Sequence, residues 1–388
     1  MEESATLAIS AKAKALKSEG HDVIDFGVGE PDFDTPAYIR DAAKGALDRG
    51  MTRYTPASGT LDLRAAICEK LLRDNGLNYT PRQIVVSNGA KHALTNAFLA
   101  ILDPGDEVII PAPYWVSYPE MVKLADGVPV FVHADEAQGF VPTAAQLAAA
   151  CTPRTKAIIL NNPVNPTGAM FDNEELRQIA ALAVERDLFI VSDEIYEVLS
   201  FDENKPVSIA SFGPQVQERT IVINGVSKTY AMTGWRIGYS AAAPQVAEVM
   251  ANIQSQATSN PNSIAQFATI AALRGPTDQV QAMAAEFDRR RLRITELVNA
   301  VPGLSAIRPK GAFYLFVNVT ALLGKSLDGK VISDTMEFAS ALLEREKVAV
   351  VPGSAFGAEG FVRLSYALSM ENLERGIGRM AAFAVAFV

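Results

Sequence analysis

The sequence predicts an α/β fold in which a mostly parallel sheet is flanked by helices, followed by a smaller α+β unit. Between residues 83 and 223, six short apolar runs rich in Val and Ile alternate with stretches of helical pattern, at spacings of roughly 20–30 residues. This alternation is typical of parallel strands joined by helices. After Gly275 the pattern changes to a long polar helix and strands of different spacing, which indicates a second unit.

The elements are expected in the following order. A helix spans residues 5–20 and ends at Gly20, and a short strand with a Gly/Pro/Asp loop occupies residues 22–36. The strand candidates that follow are all short and apolar: Gln83–Val86, Glu107–Ile110, Pro129–Val132, Ala157–Leu160, Leu188–Val191, Thr220–Ile223, Ala312–Val317 and Val348–Val351. We predict a large domain over 37–280 and a small domain made of 1–36 and 281–388.

Composition indicates an ordinary enzyme of 388 residues, with 49% hydrophobic and 20% charged residues. The net charge of −9 disfavours general binding to nucleic acid or to a membrane surface. Acidic residues flank the cluster Arg289–Arg291, which we interpret as a solvated helix face. No apolar run reaches the ~18–20 residues of a membrane span. Two distant cysteines, Cys68 and Cys151, and an acidic N-terminus without a signal pattern predict a cytoplasmic protein without a disulfide framework.

Polar residues follow the predicted strands at four loops, where ligands of open α/β sheets bind. In SNGAKHAL (87–94) a glycine turn precedes a helix whose exposed N–H groups could hold an anion beside Lys91. Such turns also occur without a ligand. In NNPVNPTGA (161–169) two Asn-Pro pairs form a rigid turn, which either is only a turn or presents the amide of Asn165 to a ligand.

The other two loops carry ionisable groups. In VSDEIYEVL (191–199), Asp193 ends a strand that should be buried, where a carboxylate needs a cationic or hydrogen-bonding partner. Tyr196 is close enough in sequence to serve the same pocket. In NGVSKTYAMTGWRIGY (224–239), Lys228 lies between small residues past a buried strand and is either solvated or desolvated. A desolvated lysine loses its charge more easily, and the neutral amine attacks aldehydes.

Together the loops offer an anion cradle, a carboxylate, a phenol and a reactive amine. Pyridoxal 5′-phosphate (PLP), an aldehyde with a phosphate, a pyridine nitrogen and a phenolic oxygen, requires all four. We therefore predict PLP as the cofactor. We predict no metal, since His21, His92 and His133 are far apart and lack ligand spacing.

With these residues the chain resembles the class I aminotransferases of PLP fold type I, and among them the shorter bacterial aspartate aminotransferases. The resemblance spans essentially the whole chain. It rests on seven motifs in order: GEPDFDTP (29–36), SNGAKHAL, APYWVSYPE (112–120), NNPVNPTGA, VSDEIYE, NGVSKTYAMTGWRIGY, and GAFYLF (311–316) with VRLSYA (362–367). It implies amino transfer between L-aspartate and 2-oxoglutarate, giving oxaloacetate and L-glutamate by a ping-pong mechanism, in a homodimer with shared active sites.

The resemblance also implies roles for residues around the cofactor ring. Lys228 would bind the cofactor aldehyde and then act as general base and general acid. Asp193 would pair with the pyridine nitrogen and keep it protonated. Tyr196 and Asn165 would hydrogen-bond the phenolic oxygen, and Trp115 would stack on the ring.

The remaining implied contacts concern the cofactor phosphate and the substrate. The phosphate would be held by Gly89, Ala90, Lys91, Ser227, Arg236 and, from the other subunit, Tyr54. The substrate would contact Arg363 through its α-carboxylate, Lys91 and Thr6 through its distal carboxylate, and also Gly29, Trp115 and Asn165. Arg363 would form a bidentate pair.

Two positions depart from the family pattern. Gly225 occupies the place of a phosphate-binding serine in many relatives, so one hydroxyl contact would be missing. Glu2 occupies the place of a basic residue in relatives that use prephenate, which disfavours that substrate. Three alternatives stay open: an aminotransferase with aromatic or prephenate acceptors, another fold type I enzyme such as a β-lyase or decarboxylase, and a non-catalytic regulator. The presence of Lys228, Asp193 and Arg236 argues against the regulator.

Overall fold

The computed structural model describes residues 5–388, with the backbone alone for residues 5–8 and 10. The predicted substrate contact of Thr6 and the departure at Glu2 therefore lie outside the described side chains. No helix in the described part of the chain is long and apolar enough to cross a membrane.

The strands, numbered in chain order, are β1 (Ile24–Asp25), β2 (Ile84–Ser87), β3 (Glu107–Ala112), β4 (Val128–His133), β5 (Thr155–Asn161), β6 (Phe189–Asp193), β7 (Thr220–Gly225), β8 (Gly238–Ala241), β9 (Ser305–Ala306), β10 (Tyr314–Asn318), β11 (Ser326–Leu327), β12 (Lys330–Val331), β13 (Val348–Ala349), β14 (Val351–Pro352) and β15 (Phe361–Ser365). All eight predicted runs contain strand residues. The predicted strand at 348–351 is divided, because β13 and β14 belong to different sheets.

The α-helices are α1 (Ala5–Ser18), α2 (Ala37–Asp48), α3 (Leu61–Asn75), α4 (Ala90–Ile101), α5 (Tyr118–Leu124), α6 (Ala144–Ala150), α7 (Asn173–Glu185), α8 (Pro214–Arg219), α9 (Pro244–Ala257), α10 (Ser263–Arg274), α11 (Asp278–Asn299), α12 (Thr335–Glu346) and α13 (Met370–Ala384). Short 3₁₀ turns occupy Pro81–Gln83, Ile209–Ser211, Thr233–Trp235 and Gly353–Phe356.

The large sheet has seven strands in the order β2-β8-β7-β6-β5-β3-β4. Strands β3 to β7 pair in parallel, and β8 runs antiparallel between β2 and β7. Side chains alternate between the two faces: Ile159 and Val191 pack towards α4 and α5, while Ile158 and Ile190 pack towards α6 and α7. Helices therefore cover both faces, as expected for apolar parallel strands.

A second, antiparallel sheet has the order β14-β15-β10-β9 and packs with α11, α12 and α13. The N-terminal segment joins this unit, since β1 pairs in parallel with β13 and Phe26 is fully buried in the same core. The exact division into domains at 37–280 and at 1–36 with 281–388 stays a prediction.

Candidate active site

The candidate site lies at the carboxyl ends of the parallel strands. β5 ends at Asn161, β6 at Asp193 and β7 at Gly225, so the loops that follow these strands meet at one edge of the sheet. Register places Asn161 directly beside Asp193. The second sheet contributes Arg363 from β15, which contacts Asn165 in the loop after β5.

Lys228 lies three residues beyond β7 and is half-buried. Its Nζ donates a hydrogen bond to the backbone carbonyl of Gly29 at 2.6 Å. Desolvation lowers the pKa of Lys228 to about 8, assisted by the positive charges of Arg363 and Arg236 and opposed by Glu30. A substantial fraction of this amine is therefore neutral near pH 8. Of the two interpretations of Lys228 from the sequence, solvated or desolvated, this favours the desolvated lysine.

Asp193 is buried, and burial raises the pKa of its carboxyl to about 6. The hydroxyl of Tyr118 donates to Asp193 Oδ2 at 2.7 Å, and the backbone N–H of Ile195 donates to Oδ1 at 3.3 Å. Both bonds favour the ionised form, as does the charge of Lys228. The carboxylate is thus held in place with its charge only partly compensated, which suits a cationic ligand atom.

Two asparagines fix the turn beside Asp193. Asn161 Nδ2 donates to the backbone carbonyl of Asp193 at 3.0 Å, and Asn161 Oδ1 accepts from the backbone N–H of Asn165 at 2.7 Å. Asn165 Oδ1 in turn accepts from Arg363 Nη1 at 3.0 Å. The rigid turn predicted from NNPVNPTGA therefore presents its amide to a charged group of the second sheet.

Arg363 is buried without a carboxylate partner in the described part of the chain. Its Nη2 donates to the backbone carbonyl of Gly27 at 2.8 Å, and its Nε is buried without a hydrogen-bond partner. The guanidinium carbon lies 4.4 Å from the ring centre of Tyr314 and 5.1 Å from that of Phe356. Desolvation lowers the pKa of Arg363. A buried cation with an unpaired N–H indicates an anionic ligand at this position.

Tyr196 lies beside these groups with its hydroxyl 2.9 Å from the hydroxyl of Tyr314. Both side chains are buried, and burial raises the pKa of each phenol. The rings meet edge to face, with centres 5.8 Å apart.

An anion cradle lies at the start of α4. Gly89 precedes the helix with φ 88°, and the N–H groups of Ala90 and Lys91 have no acceptor among the residues whose side chains the structure describes. Arg236 covers this turn and donates to the backbone carbonyls of Thr233 and Asn88 at 2.8 and 3.3 Å. A Cβ at Gly89 would lie 2.3 Å from Arg236 Nη2, so only glycine permits this approach. Free N–H groups at a helix start beside a guanidinium suit a phosphate.

Ser227, two residues past β7, is buried at the same edge of the sheet. A Cβ at Gly225 would lie 3.0 Å from both Gly238 Cα and the carbonyl oxygen of Ile237. A serine at this position would therefore require the neighbouring backbone of β8 to shift by a few tenths of an ångström.

Lys91 and Trp115 form the outer part of the site. Lys91 Nζ lies 4.9 Å from the centre of the Trp115 ring, and that ring meets Tyr118 edge to face with centres 5.3 Å apart. Desolvation and the neighbouring Arg236 lower the pKa of Lys91. Tyr54, by contrast, is 91% exposed and lies on the surface.

Comparison with known proteins decides the family. The family model "Aminotransferase class I and II" matches residues 21–380. The chain belongs to the class I and II aminotransferases. The aspartate aminotransferase of Bacillus subtilis is 50% identical over 380 residues, which cover 98% of this chain and 96% of that protein.

Solved structures agree with this membership. The crystal structure of an aspartate aminotransferase from Rhizobium meliloti superposes with a TM-score of 0.97 at 45% identity, covering 100% of this chain and 98% of that one. The Thermus thermophilus aspartate aminotransferase with maleate gives a TM-score of 0.92 at 46% identity, covering 98% and 97%. The α/β fold predicted from the sequence, with its mostly parallel sheet, is confirmed.

Two residues of this aminotransferase site were not identified from the sequence. Tyr118 begins α5 in APYWVSYPE, and its closeness in sequence to Trp115 is the signal that could have placed it at the site. Tyr314 lies in GAFYLF, where its alternation with Phe316 indicates one face of a strand. Neither signal shows which polar group the hydroxyl meets.

Proposed function

We propose that this aminotransferase uses PLP to transfer the amino group of L-aspartate to 2-oxoglutarate, giving oxaloacetate and L-glutamate. The observation that carries the proposal is the buried Arg363, whose Nε lacks a partner, at the same site as the amine of Lys228 and the carboxylate of Asp193. Several similar proteins, including that of Bacillus subtilis, bear the name aspartate aminotransferase.

The residues present fit PLP. The N–H groups of Ala90 and Lys91 with Arg236 and Ser227 would hold its phosphate, and glycine at position 89 lets the Arg236 guanidinium approach the start of α4. Asp193 would meet the pyridine nitrogen, Tyr196 and Asn165 the phenolic oxygen, and Trp115 the ring face. When bound, PLP supplies an electron sink for the pair left on the substrate's α-carbon.

Asp193 would keep the pyridine nitrogen protonated. Its burial disfavours an isolated negative charge, and a cationic ring nitrogen at hydrogen-bond distance would offset that penalty. Tyr118 already donates to one carboxylate oxygen and fixes its orientation. The other oxygen has one long bond, from Ile195 N–H, and retains capacity to accept another.

Lys228 would act as the proton carrier. Its lowered pKa allows Nζ to be neutral, so it can take the proton from the substrate's α-carbon and then return it as a general acid. A pKa of about 8 lies near neutral pH, where both directions of proton transfer are efficient.

Arg363 and Lys91 would bind the two carboxylates of an acidic substrate. Arg363 offers the planar fork that matches the α-carboxylate, oriented by Asn165 and the carbonyl of Gly27. The backbone of Gly29 borders this position, close to Tyr314. Lys91, on the other side of Trp115, would meet the distal carboxylate. The contribution of Thr6 to that contact stays a prediction.

We propose a homodimer with shared active sites. Tyr54 is 91% exposed, which supports a role for its hydroxyl at the cofactor phosphate of a second copy of this chain. Two buried glutamines hold the segment that follows Tyr54: Gln254 Nε2 donates to the carbonyl of Ala57 at 2.6 Å, and Gln266 Nε2 donates to Thr55 Oγ1 at 3.0 Å. We further propose that the protein works in the cytoplasm, where the free thiols of Cys68 and Cys151 stay reduced.

Steady-state kinetics test the function. With PLP present, we expect turnover of L-aspartate only when 2-oxoglutarate is added, and parallel lines when one substrate is varied at several levels of the other. A β-lyase would instead release ammonia and a keto acid without an acceptor. Higher kcat/KM for phenylalanine or prephenate than for the acidic pair would contradict the assigned substrates.

A further inference from the structure

Tyr314 contacts two parts of the site that have different tasks. Its hydroxyl lies 2.9 Å from that of Tyr196, and the face of its ring lies 4.4 Å from the guanidinium carbon of Arg363. The side chain is almost completely buried. The sequence motifs did not assign a role to Tyr314.

Strand pairing fixes this position. β10 and β15 are antiparallel, with Tyr314 opposite Ser365 and Phe316 opposite Arg363. Since side chains two apart on a strand share a face, Tyr314 and Arg363 are diagonal neighbours on the same face of the second sheet. The Tyr314 ring therefore supports the guanidinium, and the Phe356 ring also contacts it, with its centre 5.1 Å from the guanidinium carbon.

The numbers of donors and acceptors on the two hydroxyls decide which of them, Tyr314 or Tyr196, donates the hydrogen bond between them. Each phenol has one proton to donate and lone pairs to accept. If Tyr196 donates its proton to the phenolic oxygen of PLP, the bond between the two hydroxyls requires Tyr314 to donate to Tyr196. A donated bond polarises the acceptor hydroxyl and makes Tyr196 a stronger donor.

We propose that Tyr314 is a positioning residue with two separable tasks: its hydroxyl strengthens the hydrogen bond from Tyr196 to the cofactor, and its ring holds Arg363 for the substrate carboxylate. This inference rests on the proposed function. The two tasks meet in one side chain that joins the second sheet to the loop after β6.

The hydroxyl task has a spectroscopic consequence. On PLP the phenolic oxygen is adjacent to the aldehyde carbon, to which Lys228 would bind. A weaker bond from Tyr196 leaves more negative charge on that oxygen, so the Lys228 nitrogen keeps its proton to a higher pH. The other ionisable groups around Lys228 and Tyr196 are Glu30, Asp193, Arg236, Arg363 and Tyr118, and Tyr314→Phe removes only a hydroxyl and alters none of these side chains.

The first test is Tyr314→Phe, which removes the hydroxyl and keeps the ring. We expect the pH midpoint of the visible absorption of bound PLP to rise by about half a pH unit, as expected for weakening one neutral hydrogen bond. The KM for L-aspartate should change by less than about twofold, because the cation–π contact remains.

The second test uses Phe356→Leu as a matched variant, since Phe356 supports Arg363 and has no hydroxyl. We expect its KM for L-aspartate to rise by roughly 2- to 30-fold, the range for loss of a cation–π contact, without a shift of the pH midpoint. Tyr314→Leu should show both effects. Urea unfolding of each variant reports whether lost packing is responsible for a change.

The outcomes separate this inference from the proposed function. If the unaltered enzyme shows no PLP absorption or no turnover of aspartate, the proposed function fails. If the unaltered enzyme shows both and Tyr314→Phe leaves the midpoint unchanged or lowers it, the hydroxyl task is wrong. A KM that rises equally in Tyr314→Phe and Tyr314→Leu would overturn the ring task.

Discussion

Replacing Tyr118 by Phe tests how the protein controls the charge of Asp193. The Tyr118 hydroxyl donates to Asp193 Oδ2 at 2.7 Å, and both side chains are buried. The substitution removes one oxygen atom and keeps the aromatic ring against Trp115. Its main effect should therefore be electrostatic.

The magnitude follows from the bond that is lost. A hydrogen bond to a charged group contributes about 1.5–3 kcal/mol, and 1.36 kcal/mol corresponds to one pKa unit. The pKa of Asp193, about 6 with this bond present, should therefore rise by about one to two units. PLP would require the ionised carboxylate. At neutral pH the variant must therefore first lose the proton of Asp193, and the free energy of this deprotonation weakens cofactor binding.

The assay is the dissociation constant of PLP, measured for the variant and the unaltered enzyme from pH 5 to pH 9. The ratio of the two constants cancels the titration of PLP itself. We expect a ratio near 1 at pH 9, where both carboxylates are ionised. The ratio should rise to about 10- to 100-fold at pH 5, where the variant retains its proton more strongly.

Tyr366→Phe is the control for removing a buried tyrosine hydroxyl. Tyr366 donates to the backbone carbonyl of Ala312 at 3.0 Å and has no hydrogen bond to Asp193. Its ratio should be independent of pH. If the ratio for Tyr118→Phe is also flat between pH 5 and pH 9, Tyr118 does not set the pKa of Asp193 and the reasoning is refuted.

Three further substitutions test other parts of the account. Lys228→Ala should retain the fold by circular dichroism and lose turnover, because among the described residues no other lysine amine lies beside the carbonyl of Gly29; multiple turnovers would contradict the role of Lys228. Lys91→Ala should lower kcat/KM for aspartate by about tenfold or more, and for phenylalanine much less, whereas equal losses would remove Lys91 from distal-carboxylate recognition. The carboxyl of Glu194 accepts hydrogen bonds from Ser192 and Ser208, and burial raises its pKa to about 7. The folded state therefore binds the carboxyl proton more tightly than the unfolded state does. As a result, stability falls as the pH rises from about 4.5 to 7. Glu194→Gln should therefore gain up to about 3 kcal/mol of unfolding free energy relative to the unaltered protein between pH 5 and pH 8, measured by denaturant titration; an equal difference at both pH values would contradict the buried charge.

The parallel strands were predictable because their pattern is local. Each is a continuous apolar run, and burial on both faces of the sheet demands such runs. β8 was missed, and its first two residues, Gly238 and Tyr239, were interpreted as the end of a loop. Its sequence, Gly238 to Ala241, has no β-branched run, and its antiparallel place between β2 and β7 depends on residues far away in the chain.

The site was predictable to the extent that its residues follow strand ends or belong to family motifs. The hydrogen-bond partners of these residues could not be predicted. Arg363 and Asn165 are 198 residues apart in sequence, and Tyr196 and Tyr314 are 118 apart. Sequence patterns give the face on which such side chains lie, whereas their hydrogen bonds depend on how the second sheet packs against the first.

The most direct test of the central claim is the visible absorption spectrum of the purified protein with PLP, recorded before and after L-aspartate and then after 2-oxoglutarate. We predict that the band of bound PLP disappears with aspartate and returns with 2-oxoglutarate, which would show both half-reactions in one cuvette. A band that persists when aspartate is added would contradict the assigned substrate, and no band at all would contradict the assigned cofactor.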